Sequence, residues 1–298
     1  MGSCLSIAIA LIENSSVTSL DLEDNGLGLE GVSHIGEMLL ENTFIVDLNI
    51  AQNDLKTEGT RYILDKIKET DVLQKVNLSG NNLQEYDGDL FKEYIEETRN
   101  LRVLKLNHNC FREEGGMALG ECLGWNDSIE KLELSWNHLR NKGAKAVAHA
   151  LTMNSAIKYL DVSWNGFYLD GCKEMAQALL KNSTLEYLDM TSNRINKQCL
   201  QELVKGLKGN STLKGLRLGD NPMTAAGAYF LLNEVQEMAN SGLEEIDLGH
   251  QSVEPNFLEL LERVRESRPD LIVKHGAVLG QDVESKDEEQ ELMDENPV

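Results

Sequence analysis

Eight asparagines recur every 28 residues without a slip: Asn25, Asn53, Asn81, Asn109, Asn137, Asn165, Asn193 and Asn221. Each closes the pattern L-x-x-L-x-L-x-x-N. An apolar residue stands five before it (Leu20, Leu48, Val76, Leu104, Leu132, Leu160, Leu188, Leu216) and another three before (Leu22, Ile50, Leu78, Leu106, Leu134, Val162, Met190, Leu218). A third stands two after, from Leu27 to Met223. Columns held in phase over seven steps do not arise by chance, and a period of this length marks a stack of like supersecondary units.

The second half of each unit has a helical period. Pairs such as Ile35 and Leu39, Ile63 and Ile67, and Val147 and Leu151 are four apart and would share one helix face. Gly31, Gly59, Gly115, Gly143, Gly171 and Gly227 stand six after the ladder Asn, while Asp87 and Cys199 interrupt that column. These glycines read as backbone room at the turn into the helix rather than as a phosphate cradle. Asn42, Thr70, Thr98, Asn126, Asn154, Asn182 and Asn210 close the helices. Each unit is therefore a short strand, a turn, a helix of about three turns and a return loop. One unit cannot bury its own apolar face, so stacking builds a continuous core between a parallel sheet and a row of helices. Helices are wider than strands, which curves the stack with the sheet inside. The ladder Asn amide can serve turn backbone groups that would otherwise be buried unpaired.

The ends depart from the pattern. Residues 3–14 are in phase with the helical half of a repeat, eight full repeats occupy 17–238, and 243–276 form a degenerate cap in which Gln251 replaces Asn and the step stretches to 30. Together, residues 1–276 read as one α/β solenoid. Residues 277–298 hold eight acids against one Lys, which is −7 of the chain's net −22. That segment is expected to be a disordered acidic tail.

The excess of 50 acidic over 28 basic residues argues against nucleic acid as a partner. No apolar run reaches the ~18 residues of a membrane span. Five cysteines without a C-x-x-C fit a reducing compartment, so a cytoplasmic location is expected. Met1-Gly2-Ser3-Cys4-Leu5-Ser6 matches an acylation signal, with Gly2 and Cys4 as possible lipidation sites, though the same residues continue the repeat. Membrane contact is expected only if they are acylated. Asn14, Asn77, Asn126, Asn182 and Asn210 begin N-x-S/T sequons; four of them fall in the helix-closing column, which itself calls for Asn. No catalytic motif is present: there is no G-x-S-x-G, H-E-x-x-H or Walker A loop. His108, Cys110 and His138 gather at one strand end without an evident fourth ligand, so no metal and no cofactor are assigned.

The repeats resemble the ribonuclease-inhibitor class of leucine-rich repeats, which includes the Ran GTPase-activating protein and the sensor domains of NOD-like receptors. The stretch LELSWNHLRNKGAKAVAHAL, the following LDVSWNGFYLDGCKEMAQALLKNSTLEYLDMTSNRI and the closing RPDLIVKHG are similar to the leucine-rich-repeat-containing protein 74 family. The resemblance implies the horseshoe fold and brings no chemistry with it. By analogy it also admits a regulator of a small GTPase.

Function is then expected on the concave sheet. Alternate strand residues face one side, so positions six, four and two before each ladder Asn should be open. In repeats five to seven these include Glu133, Tyr159, Asp161, Tyr187 and Asp189, with Trp136 and Trp164 at the strand exit. The tryptophans either brace the edge or join the surface; the tyrosines, on an open sheet, point to binding. The expectation is a non-enzymatic, monomeric scaffold for a protein partner, basic in character, with a lipid-anchored adaptor as a further alternative.

Overall fold

Each half-repeat becomes the element its period demands. The computed structural model describes residues 2–238 and 240–280. Ten three-residue strands form one parallel sheet in strict chain order. They are β1 (Ser19–Asp21), β2 (Asp47–Asn49), β3 (Lys75–Asn77), β4 (Val103–Lys105), β5 (Lys131–Glu133), β6 (Tyr159–Asp161), β7 (Tyr187–Asp189), β8 (Gly215–Arg217), β9 (Glu245–Asp247) and β10 (Ile272–Lys274). The helices on the other side are α1 (Gly2–Leu11), α2 (Gly28–Glu41), α3 (Lys56–Thr70), α4 (Leu90–Glu97), α5 (Arg112–Leu123), α6 (Arg140–Ala150), α7 (Tyr168–Lys181), α8 (Lys197–Lys208), α9 (Thr224–Gln236) and α10 (Pro255–Ser267). The pairing register repeats the sequence period, so Leu132 lies beside Leu160 and Tyr159 beside Tyr187. At the cap Gly215 pairs with Glu245, 30 residues on. The middle residue of each strand from β1 to β9 points into one apolar cluster that runs from Ala8 to Leu271.

The strands are short because the chain turns sharply at their ends. The residue before the ladder Asn is left-handed in all eight repeats, with φ between 52° and 66°. Seven of these eight are not glycine, Trp136 and Trp164 among them, and such a conformation costs an L-residue about 1–2 kcal/mol. The ladder offsets that cost. Asn165 shows the pattern: its Nδ2 donates to the Leu134, Val162 and Ser163 carbonyls, and its Oδ1 accepts the Asn137 and Leu139 N–H groups of the preceding repeat. Each such Asn is buried and steps back one repeat. Asn25 is the exception, being exposed and bonded only locally through Nδ2 to Glu23 O, since α1 brings no strand before it. A second ladder runs along the return loops. There Asn182 Nδ2 donates to Leu151 and Asn154, and its Oδ1 accepts Thr184 and Leu185. Asn126, Asn154 and Asn210 are likewise buried structural amides.

Two expectations need correction. The recurrent glycines do not sit in a turn. They lie within the first helical turn at negative φ, where a Cβ would press on the side chain four residues earlier, as at Gly31 on Leu27 and Gly171 on Phe167. In the middle of the stack they also let neighbouring repeats touch: a Cβ on Gly143 would fall 2.8 Å from the Arg112 carbonyl, and one on Gly115 2.7 Å from the Glu85 carbonyl. The two breaks in the column have their own starts. Repeat three opens with a 3₁₀ turn, Glu85–Asp89, in which the Asp87 carboxylate accepts the Gln84 N–H. Repeat seven uses Asn196 as an N-cap on the Cys199 N–H. Finally, the order of the chain passes residue 276. The Val253 N–H donates to the Ala277 carbonyl, and the Leu279 N–H to the Val253 carbonyl. The acidic stretch from 281 on lies outside the described residues.

One rung is incomplete. Asn137 Oδ1 is buried without a hydrogen-bond partner, whereas the corresponding oxygens of Asn109 and Asn165 each accept two N–H groups of the repeat before. Asn165→Ala should therefore cost more than Asn137→Ala. The first strands two buried N–H groups and weakens three carbonyl contacts, worth about 2–4 kcal/mol; the second loses only donor contacts, worth about 1–2 kcal/mol. Urea titration of the two variants checks the order, and equal losses would show that the acceptor side of the ladder carries no weight.

Candidate functional site

In-register parallel strands put residues of equal phase side by side, so like meets like across the concave face. Tyr159 of β6 and Tyr187 of β7 lie with ring centroids 6.5 Å apart at 34°. Tyr187 has space because β8 offers Gly215, where a Cβ would fall within 2.4 Å of the Tyr187 ring. On the other side Lys131 Nζ sits 4.3 Å from the Tyr159 ring centre, a cation–π contact. Below the rings run the carboxylates Glu133, Asp161 and Asp189, each one strand from the next.

The three carboxylates differ in company. Burial alone would raise the Glu133 pKa, but Lys131 at 2.9 Å, the Asn107 amide at 3.0 Å and Lys105 at 3.5 Å together hold it below the ordinary value. Asp189 faces Arg217 at 3.6 Å. Asp161 has no cation within 4.0 Å among the described residues; it accepts the Ser163 N–H at 2.9 Å. Burial and the charges of Asp189 and Glu133 push its carboxyl upward. The same burial, with Asp161 and Asp189 nearby, raises the Tyr159 hydroxyl. The centre of the patch thus holds a half-buried carboxylate between two others, with no ion pair among the described residues.

The position two before the ladder Asn is open only in part: Glu23 is exposed and Ser79, Asn107 and Thr191 are half-buried. Ala51, Ser135 and Ser163 are buried, because the left-handed residue that follows already folds the chain across them. Gly215 and Gly219 are buried as well.

The tryptophans do both things the sequence allowed. Trp136 and Trp164 stack on each other at 4.0 Å and 13°, bracing consecutive repeats, and His108 continues the stack at 5.6 Å from Trp136. Yet they remain 37% and 43% exposed. They line a cleft of about 700 Å³ on the strand-to-helix rim together with His138, Arg140, Tyr168 and Arg194. Sequence reasoning missed the last three. The available signal was a substitution at turn columns that repeat one fills with Gly26 and Gly28: Arg140, Tyr168 and Arg194 all have positive φ, which throws their side chains outward. Among the described residues no group of three or more His, Cys, Asp or Glu is placed to hold a metal ion, and the five cysteines are free. Cys4 is half-buried against the core in α1. No helix among the described residues is long and apolar enough to cross a membrane.

Comparison with known proteins agrees with this architecture. A leucine-rich repeat family profile matches residues 13–36, 98–120, 126–148, 181–203 and 209–232. Among solved structures, the leucine-rich repeat-containing protein LegL7 of Legionella pneumophila is similar over 92% of this chain and 86% of its own, with a TM-score of 0.59 and 18% identity. Leiomodin-1 actin-binding site 2 matches at 14% identity and a TM-score of 0.44, over 50% of this chain and 86% of its own. The Caenorhabditis elegans tropomodulin C-terminal domain matches at 13% and 0.42, over 50% and 89%. A search of curated proteins finds no match. The fold is that of a leucine-rich repeat solenoid.

Asp161 should cost stability. Its folded pKa lies above the ordinary 3.8, so the unfolded chain gives up the proton first and stability falls as pH rises through that interval. Asp161→Asn keeps the bond to the Ser163 N–H. It should stabilise by about 0.5–1 kcal/mol at neutral pH and by nothing at a pH below the ordinary value. Denaturant titrations at both pH values test this; a loss at neutral pH would mean the carboxylate is satisfied as it stands.

Proposed function

We propose that the protein is a non-enzymatic binding scaffold whose partner surface centres on the concave floor of repeats five to seven. The observation that supports this reading is the pairing of an open tyrosine couple, Tyr159 and Tyr187, with a carboxylate, Asp161, that has no ion pair among the described residues. Aromatic side chains supply contact area at small rotamer cost. An acid held between two others lowers its energy when a partner's Lys or Arg arrives. The partner is accordingly a protein that presents a basic side chain beside an apolar one. Glu133 and Asp189, already paired with cations, border the patch, and the Trp136–Trp164 stack forms its wall. The likeness to the leucine-rich-repeat-containing protein 74 family adds no chemistry to this reading.

Replacing Tyr159 and Tyr187 together by Ser should weaken partner binding by about 2–4 kcal/mol. Folding should suffer little, because neither ring fills the core. Asn49→Ser with Lys75→Ser, on the same face but repeats away, is the control and should cost under about 0.5 kcal/mol. Captured partners are compared first for retention by the full chain and both variants, then titrated calorimetrically. Equal weakening by the two pairs would mean diffuse recognition, and weakening by the control pair alone would move the site to the N-terminal repeats.

A further inference from the structure

The two ends of the solenoid are finished differently. A repeat stack needs a polar outer face on its terminal units. The C-terminal helix has one: α10 turns Glu259, Glu262, Arg263, Arg265 and Glu266 to solvent. The N-terminal helix does not. α1 carries no charged side chain, and Leu5, Ile7 and Ile9 within it and Ile12 just after it are exposed. Two of these break columns that the rest of the chain keeps. The position of Ile7 is a buried core residue in every later repeat, from Ile35 to Leu231, yet Ile7 is 37% exposed. The position of Ile9 is polar in every later helix up to α9, from Glu37 and Asp65 to Lys205 and Asn233, and Ile9 is 61% exposed. A helix that is apolar all round is a buried helix. Of the described side chains of α1, Cys4, Ala8 and Leu11 are the ones packed against the core.

Charge and continuity say what covers this end. Copies that each carry −22 repel one another over most of their surface. α1 is where two of them meet without setting acid against acid. Glu13, the next acid in the chain, follows the helix; where two α1 helices cross antiparallel, it comes to the N-terminal end of the other helix, where a carboxylate is favoured. Asp21 and Glu23 are turned to the concave side, where the Asn49 amide donates to both. The same end holds an open edge of the sheet, since β1 pairs with β2 alone. This face is therefore the one that each later repeat uses against the repeat before it, and a second copy brings both a helix and a strand edge to continue it. The charged α10 at the far end offers α1 no apolar match, so the pairing is two-fold and closes rather than running head to tail.

We propose that two copies of the chain join at their N-terminal ends in a two-fold dimer, α1 against α1, in place of the monomer expected from the sequence. The exposed side chains of α1 and the edge beside it bury on the order of 1,000 Å² over both copies, the low end for a specific interface. Association is accordingly in the micromolar range, about that of a transient dimer. The inference does not rest on the concave floor. That floor begins at β5, four strand spacings or about 20 Å from β1, so the dimer leaves it uncovered.

Sedimentation equilibrium of the full chain, with any affinity tag at its C-terminus, tests the contact. The mass should rise from monomer toward dimer between about 1 and 100 μM. Ile9→Glu and Ile9→Lys should each weaken association at least about tenfold. An equimolar mixture of the two should associate again, because opposite charges then face each other across the axis. Ile272→Glu, at a side chain 58% exposed on β10 at the other end, should change nothing. Circular dichroism should show every variant folded, since each replaced side chain is exposed. A chain that stays monomeric at about 100 μM, a dimer that survives Ile9→Glu, or a mixture that does not re-associate overturns the proposal. Flotation with neutral phosphatidylcholine vesicles reads the other occupant: a monomer that floats, and that Ile9→Glu releases, would give this face to lipid and overturn it as well.

Discussion

One side-chain amide per repeat, reaching back to the repeat before it, is the contact on which the rest of the structure depends. A three-residue strand supplies too few backbone bonds to hold its own turn. The ladder Asn replaces them, donating to a carbonyl of the preceding strand and accepting two N–H groups of the preceding turn. Because the partners lie 26, 28 and 31 residues away, the same side chain that closes a turn also fixes the stacking distance. Loss of a rung therefore removes a local bond and a neighbour contact together, which is the coupling expected of a one-dimensional array.

The surface chemistry follows from that frame. Exact register places same-phase residues in rows, so two tyrosines become a pair and three acids become a crowded line. The left-handed turns do for the rim what the strands do for the floor. They aim Trp136 and Trp164, and beyond them Arg140, Tyr168 and Arg194, outward at fixed spacing. Strain at these positions is tolerable because the adjacent Asn over-determines the backbone. The floor and the rim are both rich in aromatics and lie side by side on the same repeats.

Much of this could be read from periodicity alone. Strand order, register, the buried column and the positions of Tyr159, Tyr187, Asp161 and Asp189 all follow from a clock of 28, since a repeat converts sequence spacing into spatial spacing. What escaped the sequence depends on neighbours rather than period. The column of Ser135 and Ser163 has the alternation of an open face, yet these two side chains are buried while Asn107 and Thr191 of the same column stay half-buried. The glycine column has the look of a turn, yet Gly115 and Gly143 serve contact with the neighbouring repeat. The partner of each acid depends on side-chain reach, so Glu133 is paired, Asp161 is not, and no pattern of spacing distinguishes them. Arg140, Tyr168 and Arg194 were hidden because positive φ in non-glycine residues is set by the ladder and not by their own preference.

The account stands most directly on the ladder's acceptor oxygens. Native-state hydrogen exchange resolved at single amides measures them. The Asn137 and Leu139 N–H groups, bonded to Asn165 Oδ1, should be as protected as the neighbouring strand amides. The Asn109 and Phe111 N–H groups, which stand at the same phase opposite the idle Asn137 Oδ1, should exchange markedly faster. Equal protection at both rungs, or fast exchange at Asn137 and Leu139, would contradict the claim that these side chains hold the stack together.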